Sequence, residues 1–236
     1  MTRRFLRCIL SGLSMACLLL AAPQPVSATI VFDDHFDGNS GGMPAGWFLI
    51  GGTGTVVEQG TTVTLGAELH VAIGSDATVD PSSGTVSIET DFVGIIGEAL
   101  SGLGVLAEPP DTYFICGIRL EDGRIEVGGS NPGGDDWYIV GHLVGYAGGP
   151  IRLTVILEPT WFSVSTDSPP FSSGPIDYTT AFATFTRDDL GAAASAVLAA
   201  LGEPAYSIVD RILVDVEGAT PVESMTFGRI KALFRR

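Results

Sequence analysis

Trp137 and Tyr138 follow directly on Asp135 and Asp136, and this is the composition a sugar-binding surface needs. A pyranose ring packs its CH groups on an aromatic face, while its hydroxyls need hydrogen-bonding partners beside that face. Asp33, Asp34 and Asp37, with Asn39, gather hard oxygen donors within a short stretch, the ligand type calcium selects. Asp135 and Asp136, after Asn131-Pro132-Gly133-Gly134, form a second such cluster. Neither spacing matches an EF-hand loop, so solvated turn carboxylates are the competing explanation for both. His35, His70 and His142 are scattered, and no phosphate-cradling loop, Ser-His-Asp spacing or cysteine pair is present.

The elements that must position these residues are read from composition and periodicity. With 45% hydrophobic and 17% charged residues among 236, the chain is too apolar for a disordered one and long enough for one compact domain. Its 27 acidic against 12 basic side chains give a net charge of -15, which disfavours nucleic acid and anionic membrane as partners. Arg3, Arg4 and Arg7, the apolar run from Cys8 to Ala22 and Val26-Ser27-Ala28 make the three-part pattern of a secretory signal, with cleavage expected before Thr29. The run is too short to span a membrane comfortably. The twin-arginine and lipoprotein patterns fit this segment less well. Export would leave 27 acidic and 9 basic residues, a net charge of -18, with Cys116 as the sole cysteine, expected to be a small buried hydrophobe.

Val86, Ile88, Thr90 and Phe92 alternate with Ser87, Glu89 and Asp91, the signature of a strand buried on one face. Leu69, Val71 and Ile73, then Ile151, Leu153, Val155 and Leu157, then Ile212, Val214 and Val216, repeat the pattern. Asp122-Gly123 and Glu158-Pro159-Thr160 are turn signals that make hairpins of their flanks. Short strands with Gly and Pro turns predict an all-β, antiparallel two-sheet sandwich. One exception is expected near residues 187–201, where Asp188 and Asp189, an Ala-rich stretch, and Gly202 then Pro204 predict an inserted α-helix. The domain is expected to span 29–218, with a linker and short basic tail over 219–236 whose Phe227, Ile230 and Phe234 would share one helical side. That tail reads as a sorting or anchoring signal, or as a segment that docks on the acidic body or frays.

Val31-Phe32-Asp33-Asp34-His35-Phe36-Asp37-Gly38 followed by Pro44-Ala45-Gly46-Trp47 resembles the opening of secreted concanavalin A-like lectin/glucanase domains, and the order of segments continues the likeness from Ile30 to Glu217. The resemblance implies a jelly roll, a structural Ca²⁺ on Asp33, Asp34 and Asp37, Trp47 in the core, and a function among glycan-binding modules, glycoside hydrolases and structural domains. The Glu-x-Asp-x-x-Glu pattern of the catalytic branch is missing. Glu121, Asp122 and Glu126 come nearest, but Asp122-Gly123 is better explained as a hairpin turn. The leading expectation is a secreted non-catalytic module that binds an extracellular glycan or cell-surface component through Trp137, Tyr138, Asp135 and Asp136. The alternatives are a divergent hydrolase or lyase using carboxylates from separate strands, such as Glu89 and Glu126, and a purely structural domain.

Overall fold

A computed structural model describes residues 28–105 and 112–217. The expected signal segment up to residue 27 and the expected tail from 219 lie outside the described residues. In chain order the strands are β1 (Ala28–Asp34), β2 (Trp47–Gln59), β3 (Thr62–Val79), β4 (Thr85–Val105), β5 (Thr112–Arg119), β6 (Arg124–Asn131), β7 (Gly134–His142), β8 (Ile151–Leu157), β9 (Trp161–Asp167), β10 (Pro170–Ser172), β11 (Ile176–Asp177) and β12 (Ala194–Glu217). One short helix, α1 (Tyr178–Ala181), precedes β12. All pairings are antiparallel and join into one hydrogen-bonded network.

That single network makes two layers because β4 and β12, 21 and 24 residues long, run through both, with Val63 to Ala67 of β3 following β12 past the bend. In the first layer, residues 86–92 of β4 pair with β8, which pairs with β9, while residues 212–217 of β12 also pair with β1. In the second, residues 98–105 of β4 pair with β5, followed by β6 and β7, while the first half of β12 pairs with β3, which pairs with β2. The strands turn between layers where the register breaks, after Leu201 on β12 and around Gly97 on β4. Bulges bend a strand and re-aim its side chains. Gly97 at φ 75° and Gly202 at φ 120° hold the backbone in conformations other residues resist, and a Cβ on Gly97 would stand 2.8 Å from the Leu201 carbonyl oxygen.

The layers meet through aromatic packing. Phe114 of β5 and Phe162 of β9 lie edge to face at 5.3 Å, and Tyr178, Phe182 and Phe185, from α1 and the segment after it, close around them. Val86, Ile88 and Phe92 are buried, as are Ile151, Leu153, Val155 and Leu157, and Ile212, Val214 and Val216, so the period-2 reading holds for these strands. Leu69 differs: Val71 and Ile73 are buried, but Leu69 is 56% exposed because it lies where β3 slips register against β12. Trp47 is in the core, with its indole N–H donating to Asp34 Oδ2 at 2.7 Å. Cys116 is fully buried, which pushes its thiol far above the usual range and keeps it unreactive.

The helix expected over 187–201 is absent. Residues Arg187–Leu190 form one 3₁₀ turn, and β12 has begun by Ala194. Ala194 to Ala200 are all buried, with β3 on one side and β4 on the other. A strand buried on both faces is apolar at nearly every position, Ser195 being the exception here, and lacks the alternation that announces a strand. Two flanking ladders of hydrogen bonds outweigh the small helical preference of alanine.

Candidate functional site

Strand alternation assigns the two faces of the second layer. Phe114, Cys116 and Ile118 of β5, with Ile125 and Val127 of β6, turn inward to the core. The other face carries Tyr113, Ile115, Gly117 and Arg119 of β5, and their cross-strand partners continue it. Arg119 pairs with Glu98 and Arg124, Gly117 with Leu100 and Glu126, and Ile115 with Gly102 and Gly128. On the outermost strand, Trp137 pairs with Gly128, Ile139 with Glu126, and Asp135 with Ser130.

The four residues expected to bind ligand therefore divide. Trp137 and Asp135 lie on the outer face, whereas Asp136 and Tyr138 serve the fold. Asp136 Oδ2 accepts from the Ala183 N–H at 2.7 Å, and Tyr138 packs against the core. Trp137 is 46% exposed. Its benzo ring rests over Gly128, where a Cβ would stand 3.0–3.1 Å from three ring atoms, so glycine there lets the indole settle onto the sheet. Asp135 lies near Tyr113, whose hydroxyl is held above its ordinary value by burial and by the Asp135 charge.

Along the same face lies a charged cluster. Arg119 donates to Glu98 Oε2 at 3.2 Å and to Glu126 Oε1 at 2.8 Å, and Arg124 Nη1 stands 3.5 Å from Glu126 Oε2. Glu98 and Glu126 are only 6% and 5% exposed, while about a third of the Arg119 side chain reaches solvent. Burial, and then the Glu126 carboxylate within hydrogen-bonding reach, raise Glu98 to about 7 against the opposing pull of Arg119. Among the described residues, Glu98 Oε1 is buried with no donor to accept from. Glu98 is not among the expected site residues, although a lone charge inside the apolar run from Phe92 to Leu103 is the signal that marks it.

The Glu98 proton bears on stability. A carboxyl whose folded-state value lies above the unfolded one stabilises the fold below the unfolded value and loses that contribution as pH rises through the folded value. For Glu98 the loss runs from about 4.5 to about 7. Partial solvent access through Arg119 limits it to at most roughly 3 kcal/mol. Chemical denaturation at pH 5 and pH 8 is expected to show wild type weaker at pH 8 and Glu98→Gln with most of that difference removed. An unchanged difference in the variant would assign it to other groups.

Asp33, Asp34 and Asp37 do not converge on a point. Asp33 takes Arg211 with both oxygens, at 2.8 and 3.0 Å, and Asp34 accepts from the Phe36 N–H and the Trp47 indole. Asp37 is exposed, and among the described residues no three His, Cys, Asp or Glu side chains are grouped to hold a metal. Glu89 and Glu126 also stand apart. Glu89 pairs with Thr154 and Leu213 in the first layer, 3.9 Å from Arg152, whereas Glu126 has Glu98 as its neighbour. Asp122 is taken by Arg124 across the hairpin turn.

An open apolar cleft of about 480 Å³ lies where the sheet bends, lined by Ile96, Leu120, Tyr206 and Ile208 over Gly94 and Gly148. Among the described residues no helix is long and apolar enough to cross a membrane.

No family model matches the chain, and no curated protein matches its sequence. Solved structures share its fold. The endo-1,3-beta-glucanase from Streptomyces sioyaensis is similar over 84% of this chain and 100% of that one, at 13% identity and a TM-score of 0.54. The catalytic domain of an endo-1,3-beta-glucanase (laminarinase) from Thermotoga petrophila is similar over 82% of this chain and 99% of that one, at 10% identity and a TM-score of 0.55. A Bacillus subtilis protein of unknown function with a galectin-like fold is similar over 81% of this chain and 100% of that one, at 12% identity and a TM-score of 0.55. The architecture is thus the concanavalin A-like jelly roll, an all-β sandwich.

Proposed function

We propose that this protein is an extracellular, non-catalytic module that binds a glycan across the outer face of its second layer, with Trp137 as the stacking surface. Trp137 carries the reading: a large aromatic side chain left nearly half exposed beside a carboxylate is what a sugar ring needs. Asp135 supplies an acceptor for hydroxyls at one end of the face. Arg119 and Arg124 have carboxylates as partners, and all five arginines of the described residues donate to a protein acceptor, so a neutral glycan fits better than an anionic one. Glu98 Oε2 and Glu126 Oε1 both accept from Arg119 Nη2, at 3.2 and 2.8 Å, so a guanidinium rather than open space lies between them. Carboxylates that cleave glycosides stand about 5–5.5 Å or 6.5–9.5 Å apart.

The shared fold makes a soluble 1,3-β-glucan the first glycan to offer. Calorimetric titration of the purified protein is expected to show binding, with no reducing ends released on long incubation. Release of reducing ends that stops in Glu126→Gln would replace this reading with a hydrolase.

A further inference from the structure

We propose that Glu98 is a proton-operated positioning residue for Arg119, deciding how many of the Arg119 donors are free to meet a glycan on the Trp137 face. The inference rests on the glycan reading for its ligand, and on the geometry of the cluster for its mechanism.

Arg119 stands between two buried carboxylates with its head partly in solvent, one partner coming from β4 and the other from β6. A guanidinium has five N–H donors in a fixed fork, so a partner gained or lost changes what remains for a third group. With Glu98 neutral, its hydroxyl can itself donate to Glu126, which keeps its 2.8 Å hold on Arg119. The Nη2 hydrogen that faces Glu98 is then available to a ligand hydroxyl. With Glu98 ionised, two like charges share a desolvated site and both draw on Arg119, which is pulled down onto the sheet.

The surroundings focus the change on Glu98. It faces Arg119 of β5 and, through Arg119, Glu126 and Arg124 of β6 and Asp122 of the turn between them. On its other side β12 offers the apolar Leu201, with His70 of β3 one strand beyond, and His142 of β7 pairs with Arg124. Arg119 and Ile115 are four residues apart on β5, about 13 Å along the strand, and Ile115 shares its row with Gly128 and Trp137. A ligand touching both Trp137 and Arg119 is thus an oligosaccharide rather than a single sugar.

Capture of Arg119 by the ligand takes a counter-charge from Glu98 and raises its hold on the proton, so binding takes up a proton and weakens as pH rises through about 7. The test has two readouts on the purified protein. Titration with a 1,3-β-glucan hexasaccharide is expected to give affinity about tenfold higher at pH 5.5 than at pH 8.5, the factor set by each tenfold rise in proton affinity on binding. Glu98→Gln is expected to bind with the acid-side affinity at both pH values, and an effect arising from His70 or His142 would persist in that variant. Side-chain NMR of Arg119 without ligand is expected to show an inflection near neutral pH in wild type and none in Glu98→Gln. Equal wild-type affinity at the two pH values, a pH effect surviving in Glu98→Gln, or a flat Arg119 signal overturns the proposal. No binding by either protein at either pH overturns the glycan reading, and the NMR result then decides whether Glu98 controls Arg119.

Discussion

Trp137→Ala is expected to weaken glycan binding roughly 10- to 100-fold and to leave the thermal midpoint within a few degrees of wild type. The size follows from the apolar contact an aromatic ring makes, about 1.5–3 kcal/mol when its exposed area is covered, at tenfold per 1.4 kcal/mol. The small effect on folding follows from exposure: the ring lies on the outer face over Gly128, and among the described residues no aromatic pair of the core includes it. Calorimetric titration together with a melting curve checks both halves. Gly128→Val gives an independent check, because a branched side chain there displaces the indole while Trp137 itself is kept. A variant that melts early and still binds would mean that Trp137 is a packing residue and the binding face lies elsewhere.

Phe114→Ala is expected to cost about 3–5 kcal/mol, lowering the thermal midpoint by roughly 10 °C. Phe114 is fully buried and its ring meets Phe162, Tyr178, Phe182 and Phe185, so truncation opens a cavity where the two layers join. The neighbours come from β9, from α1 and from the segment after it. Phe114→Leu keeps most of the volume and is expected to lose less than half as much. A loss below about 1 kcal/mol for the alanine variant would show that this end of the sandwich is loosely packed.

The sequence makes the sandwich legible where a strand has one wet face. The first half of β4, β8 and the second half of β12 are amphipathic, and their alternation names both element and buried side. The first half of β12 is hidden because Ala194 to Ala200 are buried on both faces, so that the stretch carries no period and its alanines suggest a helix. The doubling of one network into two layers is equally hidden, since it depends on Gly97 and Gly202 meeting across paired strands. Strand period alone is enough to divide Asp135 and Trp137 from Asp136 and Tyr138, because neighbours on a strand face opposite ways. The cluster of Glu98, Arg119 and Glu126 is not local in the chain. It is assembled by the register of β4, β5 and β6, and only that register brings two carboxylates to one guanidinium.

A glycan-array profile of the purified protein beside Trp137→Ala, run with calcium and again with a chelator, decides whether the Trp137 face is a glycan site. Wild type is expected to bind at least one neutral glycan class selectively, and Trp137→Ala to lose that binding. Binding that survives the chelator would show that no metal takes part in the ligand contact, and binding that disappears would add one to it. A folded wild-type protein that binds nothing on the array, or that binds no better than Trp137→Ala, would contradict the assignment of this face as a glycan site.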